Sequence, residues 1–293
     1  MNPTQAPELL TEALARFAAQ DGDDAEPLSG AAVRELAREH DMNPRDVELA
    51  ALEQEIMPER YLRNQGTVGC AGQKALLQAK VAVVGAGGLG GWIVEALARM
   101  GVGRLQIIDG DSFVENNLNR QLGSSEATLD RPKAAVLAER VRAINSAVDV
   151  TAQELWITEG NAVDVLRGAD VIVDALDSLP ARFVVQRAAR ELNVPLVHGA
   201  IAGYTGQVLT ILPGDADLET VYGPGPYPEQ GVEAEQGNPS ATPMMIASWQ
   251  VQQVVKLITG AHRGLLRNRL MLLDAQAGDV TVIELEQETD ESE

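Results

Sequence analysis

Apolar side chains recur at helical spacing over the first 57 residues of the chain. The pattern predicts a first helix over 8–20 and, after a polar break, two further helices. Ser29 is a suitable N-cap for the second helix, and Asn43 followed by Pro44 is typical of the start of the third. The break between these two helices is similar to a helix-turn-helix, but DNA binding needs a basic surface and this segment is acidic. We therefore expect a helical extension that does not bind DNA.

From Lys80 onwards, short apolar runs alternate with amphipathic segments. This alternation is typical of a mainly parallel, doubly wound sheet with helices on both faces, a Rossmann-like α/β fold. The predicted strands cover 81–84, 104–109, 148–155, 171–174, 195–198 and 207–212, and the predicted helices cover 91–100, 132–144 and 180–192.

Residues 213–243 interrupt this rhythm with six prolines and no helical period, so we expect a long functional loop. A helix over 244–260 and two C-terminal antiparallel strands, 270–273 and 280–285, should complete the fold. The chain then divides into a helical extension, a central α/β domain and an acidic tail, with the bounds 1–59, 60–285 and 286–293.

Most of the net charge of −20 lies at the two ends of the chain. Residues 1–59 carry 14 acidic and 4 basic side chains, and 284–293 carry 6 acidic side chains and no basic one. This distribution argues against nucleic acid or an anionic membrane as a partner. Because no apolar run reaches the ~18 residues of a membrane span, no signal peptide is visible and Cys70 is the only cysteine, we expect a cytoplasmic protein.

A glycine-rich turn follows the first predicted strand and opens a helix. In it, Gly85, Gly87, Gly88 and Gly90 allow phosphate to approach backbone N–H groups at the N-terminus of that helix. Asp109 ends the next predicted strand, 24 residues after Gly85, where an acid can accept hydrogen bonds from ribose hydroxyls. The turn alone predicts a nucleotide site and favours NAD or FAD.

Four charged side chains bear on the choice of nucleotide. Asp109 and Asp177 both follow predicted strands, and Arg120 and Lys133 lie along the same sheet edge, where open α/β sheets bind ligands. A dinucleotide pyrophosphate does not require two cations and a distant acid. A triphosphate carries more charge and usually brings Mg²⁺, which prefers carboxylate oxygen. The four residues together therefore favour ATP with Mg²⁺.

Residues 60–283 resemble the MoeB/ThiF/HesA-type adenylyltransferases, relatives of the ubiquitin-activating enzymes. The order and spacing of the matching segments are much more specific than the glycine-rich turn. Besides that turn, they are Arg60-Tyr61-Leu62-Arg63, Asp109-Gly110-Asp111, Asn117-Leu118-Asn119-Arg120-Gln121, Arg131-Pro132-Lys133, Asp177 with Arg182, and Val194-Pro195-Leu196-Val197-His198-Gly199.

The resemblance implies an enzyme that adenylates the terminal glycine of a small β-grasp sulfur-carrier protein ending in Gly-Gly, with release of pyrophosphate. It also implies a homodimer in which Arg63 reaches the neighbouring subunit's site. The implied catalytic residues are Asn117, Arg120, Lys133 and Asp177, the last as the Mg²⁺ ligand. The implied nucleotide contacts are Gly85, Gly87, Gly88, Gly90, Asp109, Asp111, Gln121 and Arg63.

The chain departs from the family pattern in several places. It has no Cys-x-x-Cys pair, so no zinc is expected. It has no cysteine in 213–243, so the reaction should stop at the acyl-adenylate. Ser178 replaces the usual asparagine after Asp177, and we expect His198 to be a structural residue.

Two alternatives stay open: an NAD- or FAD-dependent oxidoreductase, and a non-catalytic scaffold of the same fold. We expect the loop 213–243 to guide the flexible tail of the partner protein. The sequence does not choose between molybdopterin, tungsten-cofactor, thiamine and other sulfur-transfer pathways.

Overall fold

The computed structural model describes residues 6–18, 27–228, 231 and 233–285. Within these residues, one sheet has the strand order β3-β2-β1-β4-β5-β6-β7-β8. Strands β1 to β5 are parallel, and β6, β7 and β8 continue the sheet in antiparallel pairs. The strands are β1 Lys80–Val84, β2 Arg104–Ile108, β3 Asp149–Gln153, β4 Val171–Asp174, β5 Leu196–Ala202, β6 Thr205–Ile211, β7 Arg269–Asp274 and β8 Asp279–Glu284.

Helices cover both faces of this sheet. Their bounds are α1 Ala6–Leu14, α2 Gly30–Glu39, α3 Pro44–Glu53, α4 Gln65–Gln78, α5 Gly88–Met100, α6 Lys133–Ile144, α7 Ala162–Leu166, α8 Leu179–Leu192, α9 Leu218–Tyr222, α10 Glu233–Gln236 and α11 Ala241–Thr259. A short 3-10 turn, Glu59–Asn64, precedes α4.

The two faces of β1 belong to two different apolar cores. Val81 and Val83 pack with α5, α6 and α11, whereas Ala82 and Val84 pack with α7 and α8 on the other side. A strand buried on both faces has to be apolar throughout, which explains the unbroken run of β1. The strand order reverses between β1 and β4, and a crevice at the carboxyl ends of strands is expected at such a point. The predicted Rossmann-like fold with C-terminal antiparallel strands is confirmed.

The prediction of an unbroken loop over 213–243 was wrong. The segment contains α9 and α10, and α11 begins within it at Ala241. Tertiary contacts stabilise α9: Leu218 is fully buried, and the side chain of Asp217 accepts a hydrogen bond from the backbone N–H of Glu219 at the start of the helix.

Helices α4 and α7 were not predicted. Three glycines interrupt the apolar pattern of α4, which is kinked at Gly69, and α7 is only five residues long. The predicted acidic tail, 286–293, and the predicted polar break after the first helix, 21–26, lie outside the described residues.

The three N-terminal helices have an apolar core of their own. It includes Leu14, Phe17, Leu36 and Val47, all at most 5% exposed. Helix α3 packs against α4, and Arg45 forms an ion pair of 2.7 Å with Asp149 of β3. The helical extension is therefore attached to the α/β part of the chain.

Glu48 of α3 is fully buried beside this attachment. Its Oε1 lies 3.3 Å from Nε of Arg60, yet neither carboxylate oxygen forms a hydrogen bond within the described residues. Burial raises the pKa of Glu48 to about 7, although the Arg60 guanidinium and a contact with Tyr61 act in the opposite direction. The folded protein therefore favours the protonated acid more than the unfolded chain does.

We expect this pKa to make the stability depend on pH. A folded pKa above the unfolded value contributes stability below about pH 4.5, and this contribution is lost as the pH rises through about 7. Glu48→Gln should therefore gain stability relative to the wild type between pH 5 and pH 8, by up to about 3 kcal/mol. Urea unfolding at several pH values measures this gain.

Glu53→Gln is the matched control, because Glu53 lies on the same helix in an exposed ion pair with Lys74. Its difference from the wild type should be below about 1 kcal/mol at every pH. A constant difference between Glu48→Gln and the wild type would contradict the predicted pH dependence.

Candidate functional site

The glycine-rich turn joins β1 to α5 at the point where the strand order reverses. Gly85 has a φ of +97°, and a Cβ atom there would lie 2.5 Å from the carbonyl oxygen of Ala175. A Cβ atom on Gly90 would lie 1.8 Å from the carbonyl oxygen of Gly85. Only glycine fits either position, so the turn can fold back tightly and the N-terminus of α5 is left open to a ligand.

Asp109 fixes the neighbouring loop to this turn. Its Oδ2 accepts a hydrogen bond of 2.6 Å from Ala86 N–H, and its Oδ1 accepts one of 2.8 Å from Asp111 N–H. Burial raises the pKa of Asp109, whereas the two amides and Lys133 oppose this effect. Each oxygen keeps a second acceptor site, so the carboxylate can also accept hydrogen bonds from a ribose.

Two cations line the same cavity as this carboxylate. Lys133 begins α6 and is 7% exposed, and its Nζ lies 3.0 Å from Oδ2 of Asp111. Arg120 is held by bonds of 2.8 Å from Nη1 to the carbonyl oxygen of Asn116 and to Oδ1 of Asn119. The ion pair with Asp111 and these bonds hold both cations at the edge of the glycine-rich turn.

These groups line one cavity of about 260 Å³, which we call the nucleotide cavity. Its polar lining includes nine of the predicted site residues, namely Gly85, Gly87, Gly88, Asp109, Asp111, Arg120, Gln121, Lys133 and Asp177. Oε1 of Gln121 is buried there without a hydrogen-bond partner among the described residues. An unpaired amide oxygen in a polar cavity is available to a ligand.

The apolar wall of the nucleotide cavity was not predicted. It is formed by Ile108, Leu155, Trp156, Ile157 and Leu176. Trp156 is 63% exposed, and its ring lies so close to Gly110 that a Cβ atom on the glycine would be 2.7 Å from Nε1. An exposed tryptophan at the end of a strand on the ligand edge was the available sequence signal.

Asp177 lies where the nucleotide cavity meets a second, larger one. This second cavity, which we call the channel, has a volume of about 800 Å³. It is lined by β6, β7 and β8 on one side and by Tyr222, Pro228 and Glu235 on the other. Asp177, Arg182 and Ile201 line both cavities. Asp177 is exposed and forms no ion pair within the part of the chain that the structure describes.

Three predicted site residues do not line either cavity of the chain. Asn117 is buried, and its Oδ1 accepts a 3.0 Å hydrogen bond from Val114 N–H, so it orders the turn before Arg120. Gly90 packs against Gly85, as described above. Arg63 is exposed on the 3-10 turn before α4.

A buried polar network adjoins Asp177. Nδ1 of His198 lies 2.7 Å from Oδ2 of Asp174, and both side chains are fully buried. Burial lowers the pKa of His198, although Asp174 opposes the shift, so the ring is neutral and donates from Nδ1 to the carboxylate. Nε2 then accepts a hydrogen bond from the Tyr222 hydroxyl at 3.2 Å. His198 is buried, as a structural residue would be, and its partner Tyr222 lines the channel.

Within the described residues, no group of three or more His, Cys, Asp and Glu side chains could hold a metal ion.

No helix in the same part of the chain is long and apolar enough to cross a membrane.

Comparison with known proteins gives relatives that share most of this chain. Adenylyltransferase and sulfurtransferase MOCS3-1 of Zea mays is 35% identical over 219 residues, which cover 74% of this chain and 47% of the maize protein. The sulfur carrier protein adenylyltransferase of Thermus thermophilus is 36% identical over 220 residues, covering 71% of this chain and 79% of that protein. The chain thus spans just under half of the maize protein.

Among solved structures, the crystal structure of E. coli MccB with ATP has a TM-score of 0.68 and 20% identity, covering 94% of this chain and 87% of that one. At this identity the likeness concerns the fold alone. The family model described as the ThiF family matches residues 61–293. The chain belongs to the ThiF family.

Proposed function

We propose that this protein uses ATP to adenylate the C-terminal glycine of a small β-grasp sulfur-carrier protein and releases pyrophosphate. The observation that carries the proposal is the junction of the two cavities at Asp177 and Arg182. One cavity has the glycine turn and cations that suit a triphosphate, and the other is large enough for an extended peptide. A carboxylate entering through the channel would meet the α-phosphate at their junction.

The chain's charged groups suit this chemistry. Attack by a carboxylate oxygen on the α-phosphorus forms an acyl-phosphate bond and breaks the bond to pyrophosphate, so negative charge grows on phosphoryl oxygens. Lys133 and Arg120 would bind these oxygens, and Asp109 would hold the ribose. Fixed cations stabilise such charge without a protein nucleophile. This is consistent with an enzyme whose reaction ends at the acyl-adenylate.

Asp177 is the residue we propose to hold Mg²⁺. Mg²⁺ is usually bound by one or two carboxylates together with phosphate oxygens and water, so a single unpaired aspartate at a phosphate site fits it. The ion would neutralise charge on the phosphate oxygens when bound.

We propose that the segment 213–243 forms one wall of the path for the partner's tail. Tyr222, Pro228, Gly231 and Glu235 all come from this segment and line the channel. A glycine-rich tail is narrow enough to pass between such a wall and the sheet. Loss of 222–239 should abolish adenylation of the partner, and intact adenylation would contradict this role.

We also propose that the active enzyme is a homodimer to which Arg63 contributes across the interface. Arg63 is exposed and does not line the nucleotide cavity of its own chain, and the neighbouring apolar side chain of Leu62 is 45% exposed. Arg63→Ala and Lys133→Ala should each keep only a few per cent of wild-type activity or less when assayed alone. When the two variants are dissociated, combined and allowed to form dimers again, about a quarter of wild-type activity should return. Half of the dimers then contain one subunit of each variant, and each such dimer has one intact site. A mixture no more active than its parents would contradict a contribution across the interface.

Trp156 should form part of the adenine pocket. Its exposed ring and the apolar wall beside it suit stacking of a base, which contributes about 1–3 kcal/mol. Trp156→Ala should therefore raise the ATP KM about tenfold or more with little change in kcat. Trp249→Ala, which alters an exposed tryptophan outside the cavity, is the control and should leave the KM unchanged.

The test of the proposed reaction is pyrophosphate–ATP exchange with and without a candidate β-grasp protein ending in Gly-Gly. Exchange that requires the partner and its last glycine is the expected result. An oxidoreductase would instead retain NAD or FAD, and a scaffold would show no exchange with any partner.

A further inference from the structure

The Tyr222 hydroxyl connects the segment over the channel with the junction of the two cavities. It accepts a hydrogen bond of 3.2 Å from Nη1 of Arg182 and one of 2.5 Å from Nε2 of Gln207. It donates to Nε2 of His198, whose ring is fixed by the buried Asp174. One hydroxyl on α9 is thus bonded to side chains from α8, β5 and β6.

These bonds fix the orientation of the hydroxyl. Because the neutral His198 ring donates from Nδ1, its Nε2 can only accept, and it lies 3.2 Å from two donors, the Tyr222 hydroxyl and Nε2 of Gln207. The lone pairs of the oxygen then point towards donors, which Arg182 and Gln207 supply. The network therefore holds the Tyr222 side chain in one position, and the hydrogen bond from Arg182 holds its guanidinium in place as well.

Arg182 has unused hydrogen-bonding capacity at the junction. It is 6% exposed, and its Nη2 donates to the carbonyl oxygen of Leu176 at 2.6 Å. Nε lies 3.9 Å from the Asp174 carboxylate and has no hydrogen-bond partner among the described residues. Nη1 and Nη2 each use one N–H group for Tyr222 and Leu176, and Nε–H is buried beside Asp174. The second N–H groups of Nη1 and Nη2 can bind an anion.

We propose that Tyr222 is a positioning residue for adenylation, which acts by holding Arg182 against the reacting anions. The inference rests on the reaction proposed above. Arg182 lines both cavities, so its unoccupied N–H groups lie where the incoming carboxylate and the α-phosphate come together. The same hydroxyl joins α9 to this arginine, so the position of α9 and the orientation of the guanidinium depend on each other.

Tyr222→Phe tests this role because it removes only the hydroxyl. The ring keeps its edge contacts with Phe183 and His198. We expect kcat of partner-dependent pyrophosphate exchange to fall about tenfold, the loss expected for one hydrogen bond to a charged group. The ATP KM should stay within about twofold, because the glycine turn, Asp109 and Lys133 are untouched. Exchange activity is divided by the concentration of enzyme that binds nucleotide, so that misfolded protein does not lower it. Thermal unfolding measures the stability of each variant separately.

Tyr227→Phe is the matched control from the same segment. The Tyr227 ring stacks on Phe183 at 4.1 Å, and its hydroxyl donates to the carbonyl oxygen of Gly223 at 2.7 Å, not to Arg182. Its exchange should stay within about twofold of wild type, since no bond to the guanidinium is lost.

Arg182→Lys completes a double-mutant cycle. If Tyr222 acts through the arginine fork, Tyr222→Phe should cost less than about twofold in the Arg182→Lys background. An equal loss in both backgrounds would overturn the positioning role. A Tyr222→Phe enzyme with wild-type kcat would overturn it too, and this second test does not depend on whether Arg182→Lys folds. Absence of partner-dependent exchange in the wild type would instead overturn the proposed function, and the positioning role with it.

Discussion

Asp177→Ala should reduce partner-dependent pyrophosphate exchange by more than about a hundredfold, the largest effect of a single substitution that we expect. The carboxylate stands at the junction of the two cavities and has no competing ion pair within the described residues. If it holds Mg²⁺ at the triphosphate, its loss removes the ion from the place where charge develops. Because the side chain is exposed, the substitution should leave the fold intact.

Two measurements separate the loss of a Mg²⁺ ligand from the general effect of removing an exposed carboxylate. Raising Mg²⁺ should partly restore exchange in Asp177→Asn, since a weakened metal site is filled at higher concentration. Asp164→Ala is the control, because Asp164 is an exposed aspartate of α7 paired with Arg167. Exchange in Asp177→Ala at the wild-type level would remove Asp177 from the site.

Lys133→Ala should reduce exchange by about a hundredfold or more, because a charge that stabilises the transition state contributes about that much. Its Nζ is the cation closest to the Asp109–Asp111 loop, at 3.0 Å from Asp111. The ion pair itself contributes little to stability, below about 1 kcal/mol, since the Asp111 side chain is 49% exposed and remains hydrated. The loss should therefore appear in activity and not in the unfolding midpoint.

Lys74→Ala is the control for charge removal, since Lys74 forms a surface pair with Glu53. Lys133→Arg should retain part of the activity, because a cation remains although its length and geometry change. Full activity in Lys133→Ala would show that phosphate is bound without this lysine.

Much of the fold could be predicted because its signals are local. The apolar run of β1, the glycine-rich turn and the acid at the end of β2 follow one another within 30 residues and together predict a nucleotide site. Asp177 was placed for a similar reason, since it follows β4 and the carboxyl ends of parallel strands share one edge. Helix α4 was missed because its glycines hide its apolar positions.

The parts of the site that were not predicted depend on contacts between distant segments. Trp156 follows a half-exposed strand, and only the structure shows its ring against Gly110. Arg182 and His198 were named from the sequence, but their contacts with Tyr222 join α8, β5 and α9, and no spacing predicts these contacts. Helix α9, which carries Tyr222, has too few residues to show a helical period and forms because Leu218 is buried in the core.

The most direct test of the proposed function is the mass of the partner protein after incubation with this enzyme, ATP, Mg²⁺ and pyrophosphatase. Adenylation predicts that a β-grasp protein ending in Gly-Gly gains one adenylyl group on its terminal carboxylate. A partner without the last glycine should gain none, and neither should any partner treated with Asp177→Ala. An unmodified partner in the presence of folded, ATP-binding enzyme would contradict adenylation of that protein, and the same result across the candidate carriers would reject the proposed function.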